Sequence, residues 1–298
     1  MTAGADGGAP HPPRLADAVL PEEPVELVVL DLDGTCLDLH QRLHPRIEAA
    51  TRQAGEKVPV VIASGRMYRS ALPWARRLGV VAPLVCYQGA LVQAMPDPDP
   101  GKGVAYGRVV HIEALDGATA RRAIEVARAH GWHRQAYVDD TLLCEEDRPE
   151  AHHYAHIGAV TIEMVDDLAA AVAGGTVKVV CVVLDGEGAA RCRVALIEAL
   201  GTRARVTPSL PEFIEVASAR AGKGAAVRRL AVELGVRLAH AVAIGDAPND
   251  VDLLEAVGFG VAVEGAPDEL LRHAACTCPP PQRAGVAEVL TALGLAGA

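Results

Sequence analysis

The strongest constraint on this chain's fold is the run VELVVL at residues 25–30, five apolar residues broken by one glutamate. So little alternation suits a strand buried on both faces, the pattern of an inner strand in a parallel sheet. The run ends in Asp31-Leu32-Asp33-Gly34-Thr35. Carboxylates just past a buried strand are costly unless something cationic compensates them. In open α/β sheets the crevice beyond the strands' carboxyl ends is where ligands bind.

The same arrangement recurs along the chain. A second buried strand, 58–63, ends in Ser64-Gly65-Arg66. A serine hydroxyl there can donate to a phosphoryl oxygen, and a glycine lets backbone N–H groups approach it. A third, 241–244, ends in Gly245-Asp246-Ala247-Pro248-Asn249-Asp250. Between them, Ala221-Gly222-Lys223-Gly224 opens a helix reaching about Leu234. This is not a Walker loop, because the upstream glycine is missing and Gly224 stands where Ser or Thr is required. A lysine at a helix start opposes the helix dipole, so an anionic partner is expected for it. If the sheet is parallel, these ends converge, bringing four carboxylates against one lysine. A divalent cation is the natural remedy, and carboxylate, carbonyl and water oxygens are the ligand set Mg²⁺ prefers. Mg²⁺ and a phosphoryl group are therefore the expected occupants.

A chain of 298 residues holds one large or two ordinary domains. Half of it is hydrophobic and only 3% aromatic, an aliphatic composition that suits α/β layers. Residues 1–24, rich in Ala, Gly and Pro, are expected to form a disordered, mobile tail. Residues 25–92 and 212–298 are expected to form a discontinuous catalytic core. The segment 93–211 holds its own strands and helices, enough for an inserted α+β domain. The formal charge of −10 argues against a nucleic-acid surface, and no run of apolar residues is long enough to span a membrane. Seven scattered cysteines without a secretion signal point to reduced thiols in a cytoplasmic protein. His152, His153 and His156 on a short predicted helix lack a supporting carboxylate pattern, so a solvated or substrate-facing helix is favoured over a metal site.

The order DLDGT, SGR, KG, GDxxND resembles the motif set of the haloacid dehalogenase-like phosphohydrolases. The insert between the serine and lysine motifs resembles the large α/β cap of that superfamily's Cof-type phosphatases, as do Val263-Glu264-Gly265-Ala266 and Gly285-Val286-Ala287. The resemblance implies a Rossmann-like parallel-sheet core with a cap that selects a small phosphorylated metabolite: a sugar phosphate, nucleotide or phosphorylated cofactor. It makes Asp31 the nucleophile that forms an aspartyl-phosphate, and Asp33 the acid and base. Ser64, Gly65, Gly34 and Lys223 would hold phosphoryl oxygens. Asp31, the Asp33 carbonyl and Asp246 would bind Mg²⁺, with Asn249 and Asp250 orienting the metal's waters or Lys223. Arg66 and Gln88 would face the substrate. Gln88 stands where the subfamily usually has Asn, Glu264-Gly265 where it has Gly-Asn, and Cys36 where it has Leu.

Two other readings use the same residues. A phosphomutase or phosphotransferase would pass the phosphoryl group to a sugar hydroxyl instead of water. A receiver-like signalling module also uses strand-end carboxylates, Mg²⁺ and a lysine, but has no place for the 93–211 insert and needs no D-x-D acid/base partner. A dinucleotide-binding Rossmann fold is disfavoured because no G-x-G-x-x-G follows the first strand.

Overall fold

The computed structural model describes residues 11–96, 106–158 and 160–297. The chain opens with β1 (Leu27–Leu30), α1 (Pro45–Gly55), β2 (Val60–Ile62) and α2 (Tyr68–Arg77). Strands β3 (Leu84–Cys86), β4 (Leu91–Gln93) and β5 (Val109–Ile112) follow. Next come α3 (Gly117–Ala129), the hairpin β6 (His133–Val138) and β7 (Thr141–Cys144), α4 (Pro149–Gly158), β8 (Ile162–Met164) and α5 (Leu168–Ala171). Strand β9 (Lys178–Val182), α6 (Gly186–Leu200), β10 (Ala204–Leu210) and β11 (Phe213–Ser218) lead into α7 (Lys223–Leu234). The chain ends with β12 (Ala241–Gly245), α8 (Val251–Leu254), β13 (Phe259–Val263), α9 (Asp268–Leu271), β14 (Cys276–Cys278) and α10 (Gly285–Ala292).

These elements form two compact units. The first holds the chain up to Ser64, Ala75–Ala82 and everything from Lys223 on; the second holds Gly65–Trp74 and Pro83–Gly222. The first is built on a five-stranded sheet in the order β14-β13-β12-β1-β2, parallel throughout. β1 lies inside it, and all four of its residues are buried, as its unbroken aliphatic run requires. The second unit holds a six-stranded sheet, β10-β11-β9-β6-β7-β8, and a three-stranded sheet, β3-β4-β5. The six-stranded sheet is antiparallel except where β7 meets β8. Its apolar core gathers Val179, Cys181, Ile214 and Val216 from the strands with Ile124, Ala127, Cys192 and Leu196 from α3 and α6. The mixed α/β architecture is the one expected.

Several local features refine this picture. Leu84–Cys86 pairs antiparallel with β4, and Phe213–Ser218 pairs within the six-stranded sheet. Helix α2 runs through Pro73, a residue that locally breaks or kinks a helix. Proline there forfeits one helix hydrogen bond at a cost of about 3 kcal/mol, opposed by the burial of Tyr68, Ala71, Leu72 and Ala75. Residues 11–24, expected to be mobile, contain a 3-10 turn at Leu15–Asp17 and pair with the sheet edge. Arg14 bridges Thr277, and the Thr277 N–H donates to the Pro13 carbonyl at 2.8 Å. An open edge strand presents unpaired N–H groups, and this stretch covers one of them. The expected tail residues 1–10 lie outside the described residues, as do residues 97–105 of the expected insert.

Candidate active site

Parallel register brings three of the motifs together in the first unit. Leu30 is level with Ile62 on one side and Ile244 on the other. Asp31, Ser64 and Asp246 therefore leave three adjacent strands at one edge of the sheet. The Asp31 N–H donates to the Ile244 carbonyl at 2.9 Å, so the first aspartate is still pinned to the ladder. The loop beyond it folds on itself. Cys36 and Leu37 donate to the Leu32 carbonyl, and the Gly34 N–H donates to Leu37. Gly34 takes φ +86°, and a Cβ there would fall 2.1 Å from Asp246 Oδ2. Only glycine permits both the left-handed backbone and that approach.

Lys223, the first residue of α7, is the hub. Its ammonium donates to Asp31 Oδ1 at 2.5 Å and to Asp250 Oδ1 at 2.6 Å, with its side chain fully buried. Asp250 is held in turn by its other oxygen, which accepts from the Asp246 and Ala247 N–H groups at 3.2 Å each. Asp246 Oδ1 accepts from the Thr35 hydroxyl at 3.1 Å. The seat of Lys223 depends on Gly224, where a Cβ would lie 1.9 Å from the Asp252 carbonyl oxygen. The Gly224 N–H is capped by Asp252 Oδ2 at 3.0 Å. Gly224 thus lets the start of α7 touch the backbone of α8, and this packing explains why the residue after the lysine is not the Ser or Thr of a Walker loop.

The electrostatics follow from one ammonium facing three carboxylates. Oxygens of Asp31, Asp246 and Asp250 lie within 4.8 Å of one another. Burial would lower the Lys223 pKa, but Asp250 and Asp31 outweigh it, and the net direction is upward. The Asp31 carboxyl is pushed well above its ordinary range by burial, with Asp250 and Asp246 adding to the rise and Lys223 opposing it. Asp246 is pushed up to about 6, by burial first and then by Asp250. Burial is the first cause of both upward shifts, and the neighbouring carboxylates add to it.

The donor set fits a hard divalent cation. Asp31 commits Oδ1 to Lys223 and Asp246 commits Oδ1 to Thr35, while Asp250 is engaged through both oxygens. Carboxylate oxygens crowded into a partly buried site, with no nitrogen or sulfur donor in the cluster, are the ligands such a cation prefers.

Of the residues expected at the site, Asp31, Ser64, Lys223 and Asp250 are buried. Asp246 is half-buried; Asp33 and Asn249 are exposed. The last two flank the cluster, Asp33 on the self-closed loop after β1 and Asn249 in the 3-10 turn Pro248–Asp250. Gly65, Arg66 and Gln88 group with the second unit, where Gln88 packs its amide against Gly65. His152, His153 and His156 are exposed on α4. His152 meets Asp147 at 2.5 Å and His153 meets Glu212 at 3.2 Å, and no metal-holding group among the described residues includes them. Thr35 and Asp252 were not singled out. Thr35 was visible as the last residue of the DLDGT string, whereas no local pattern marks Asp252.

The family model of the haloacid dehalogenase-like hydrolases matches residues 28–290. The chain is 30% identical over 249 residues to the HMP-PP phosphatase of Serratia proteamaculans (strain 568), covering 82% of this chain and 85% of that one. It is 26% identical over 268 residues to the phosphoglycolate phosphatase of Archaeoglobus fulgidus, with 90% and 96% covered. The crystal structure of a Thermotoga maritima protein matches with a TM-score of 0.79 at 27% identity, covering 90% of this chain and 97% of that one. A haloacid dehalogenase-like hydrolase from Bacteroides thetaiotaomicron matches in fold with the same TM-score at 22% identity, with 90% and 98% covered. Strand-end motifs, fold and family match agree: the chain belongs to the haloacid dehalogenase-like hydrolases.

Proposed function

We propose that this chain is a phosphatase that hydrolyses a small phosphorylated metabolite through an aspartyl-phosphate on Asp31. The observation that carries this reading is Asp31 itself, a buried strand-end carboxylate with one oxygen held by Lys223 at 2.5 Å. A nucleophile held in one orientation gains from proximity and alignment. Relatives named HMP-PP phosphatase and phosphoglycolate phosphatase support small phosphorylated compounds as the substrate class.

In this reading Asp31 attacks phosphorus, the ester oxygen leaves, and Asp33 supplies its proton. Asp33 then takes a proton from water as that water attacks the aspartyl-phosphate, releasing inorganic phosphate and restoring Asp31. The exposure of Asp33 suits a group that exchanges protons with leaving group and water. Ser64, Gly65, Gly34 and Lys223 hold phosphoryl oxygens, while Asp250 and Asn249 steady the lysine and the residues around it. Mg²⁺ held by Asp31, Asp246 and the Asp33 carbonyl would supply the positive charge that lets an anionic nucleophile meet a phosphate dianion. The insert 93–211 acts as the cap that chooses the metabolite, with Arg66 and Gln88 on the substrate side.

The test is phosphate release from a panel of phosphate monoesters, with and without chelator and with Mg²⁺ restored. Activity requiring Mg²⁺, and a raised Mg²⁺ requirement in Asp246→Ala, are expected. Full turnover after exhaustive chelation would refute the metal assignment, and transfer of phosphate to a second sugar without release would favour the phosphotransferase.

A further inference from the structure

The segment after Ser64 is held in the second unit by a carboxylate far away in sequence. Asp140 lies in the turn of the β6–β7 hairpin and is 8% exposed. Its Oδ1 accepts from the Tyr68 N–H at 2.9 Å and its Oδ2 from the Arg69 N–H at 2.9 Å. These are the first two N–H groups of α2, donors that a helix leaves without intrahelical partners. The Tyr87 hydroxyl donates to the same Oδ1 at 2.7 Å. The chain of contacts then returns to the loop, because the Tyr87 N–H donates to the Arg66 carbonyl at 3.0 Å. Gln88, next in sequence, lies so close to Gly65 that a Cβ there would sit 2.5 Å from Gln88 Nε2.

The backbone adds an independent observation. Tyr87 and Gln88 both take positive φ, 51° and 57°. For a bulky side chain such as tyrosine this is uncommon and strained. Such conformations persist where the surroundings over-determine them, and here the ring of Tyr137 packs edge-on against Tyr87 at 5.1 Å. Asparagine tolerates left-handed backbone better than glutamine does, so Gln88 adds to the strain at this turn.

We propose that Asp140 is a positioning residue for the phosphoryl-binding loop, fixing Gly65–Arg69 so that the backbone N–H groups following Ser64 keep one orientation. The proposal rests on the phosphatase reading, since it presumes that this loop binds phosphate. A purely architectural helix cap would involve the same hydrogen bonds, so the experiment must separate the two roles. Ser64→Ala, Asp140→Asn and the double variant are compared in a cycle, with Tyr87→Phe as a milder probe. Three quantities are read for each: KM and kcat for 4-nitrophenyl phosphate, the inhibition constant of inorganic phosphate, and the melting temperature.

Asp140→Asn is expected to raise both KM and the phosphate inhibition constant by about tenfold, the size of a lost charge-assisted hydrogen bond, with kcat changed far less. In the Ser64→Ala background the same substitution should change them by less than about twofold, because coupled residues are non-additive. Tyr87→Phe should move both constants in the same direction by a smaller factor. It carries the same cycle if Asp140→Asn does not fold. Equal effects in both backgrounds, or a lowered melting temperature with unchanged constants, overturn the proposal. A wild-type chain that neither turns over the ester nor binds phosphate defeats the phosphatase reading as well. An active wild type with no change in the variants defeats this inference alone.

Discussion

Each unit buries a lysine against carboxylate, and the two settings differ in their charge count. In the six-stranded sheet, Lys178 on β9 donates to Glu215 on β11 at 2.8 Å, with Tyr137 5.5 Å away, and both ions are more than nine-tenths buried. One cation meets one anion, and the pair is neutral. At the end of the parallel sheet, Lys223 meets Asp31 and Asp250, with Asp246 in the same cluster. One cation there meets three carboxyl groups. Burying an ion pair is roughly break-even for stability, whereas burying uncompensated charge is not. The excess in the parallel-sheet unit is therefore a cost that folding alone does not explain. Charge imbalance, more than burial or short hydrogen bonds, separates the two settings.

The largest test of this contrast is chemical. Asp31→Asn should reduce turnover to background with every ester, because no phosphoenzyme can form. Asp33→Asn should cost roughly 10²–10⁴-fold with an alkyl phosphate, whose poor leaving group needs a proton. With 4-nitrophenyl phosphate it should give a burst of nitrophenol and an accumulating phosphoenzyme. Rapid-mixing traces with intact mass after acid quench read both. A burst from the Asp31 variant, or phosphate on another residue, would break the assignment.

The balanced pair should respond in stability instead. Lys178→Met strands the Glu215 carboxylate and should cost about 3–5 kcal/mol, which Lys178→Met with Glu215→Leu should largely recover. Urea unfolding measures both. Neither variant should alter the Mg²⁺ dependence of the melting temperature, whereas Lys223→Met should widen the gap between melting in Mg²⁺ and in chelator. A double variant no better than the single would mean that the two residues do not act as a neutral pair.

The smallest effect lies in the ion network of the second unit. Burial pushes the Glu145 carboxyl up, but hydrogen bonds from Arg128, the Leu168 N–H and Arg134 outweigh it and bring it to about 2 from 4.5. A carboxylate held down in the folded state contributes stability above its unfolded pKa and loses it as pH falls through the folded one. The contribution should be complete above about pH 4.5 and decline toward about pH 2. Glu145→Gln should flatten this part of the acid limb in urea midpoints measured across that window. An unchanged limb would show that the network contributes no pH-dependent stability.

The parts of the fold legible in sequence were those encoded in consecutive residues. DLDGT and GDAPND each contain both the end of a buried strand and the polar group that follows it, so parallel pairing alone brought Asp31 and Asp246 together. The lysine's anionic partner was legible from its awkward place at a helix start; that it has two, at 2.5 and 2.6 Å, was not. Residues whose role depends on a partner far along the chain left no local trace. Asp140 reads as an ordinary turn aspartate, and its 72-residue reach to Tyr68 exists only in three dimensions. Pro13 and Arg14 belong to a composition typical of mobile tails, and only the open edge at Thr277 gives them a partner. Pro73 is a local signal that points the other way, because the burial of α2 opposes the penalty a helix-internal proline carries.

The backbone contacts at Gly34 and Gly224 also set the terms of any attempt to evolve this catalyst in the laboratory. At both positions the smallest possible side chain would collide within about 2 Å, with the Asp246 carboxylate in one case and the Asp252 carbonyl in the other. A saturation library would return glycine at both, whatever substrate was selected for. New specificity must then come from positions that leave the lysine seat and the D-x-D loop intact, so the reaction type is inherited while the choice of metabolite stays open to drift.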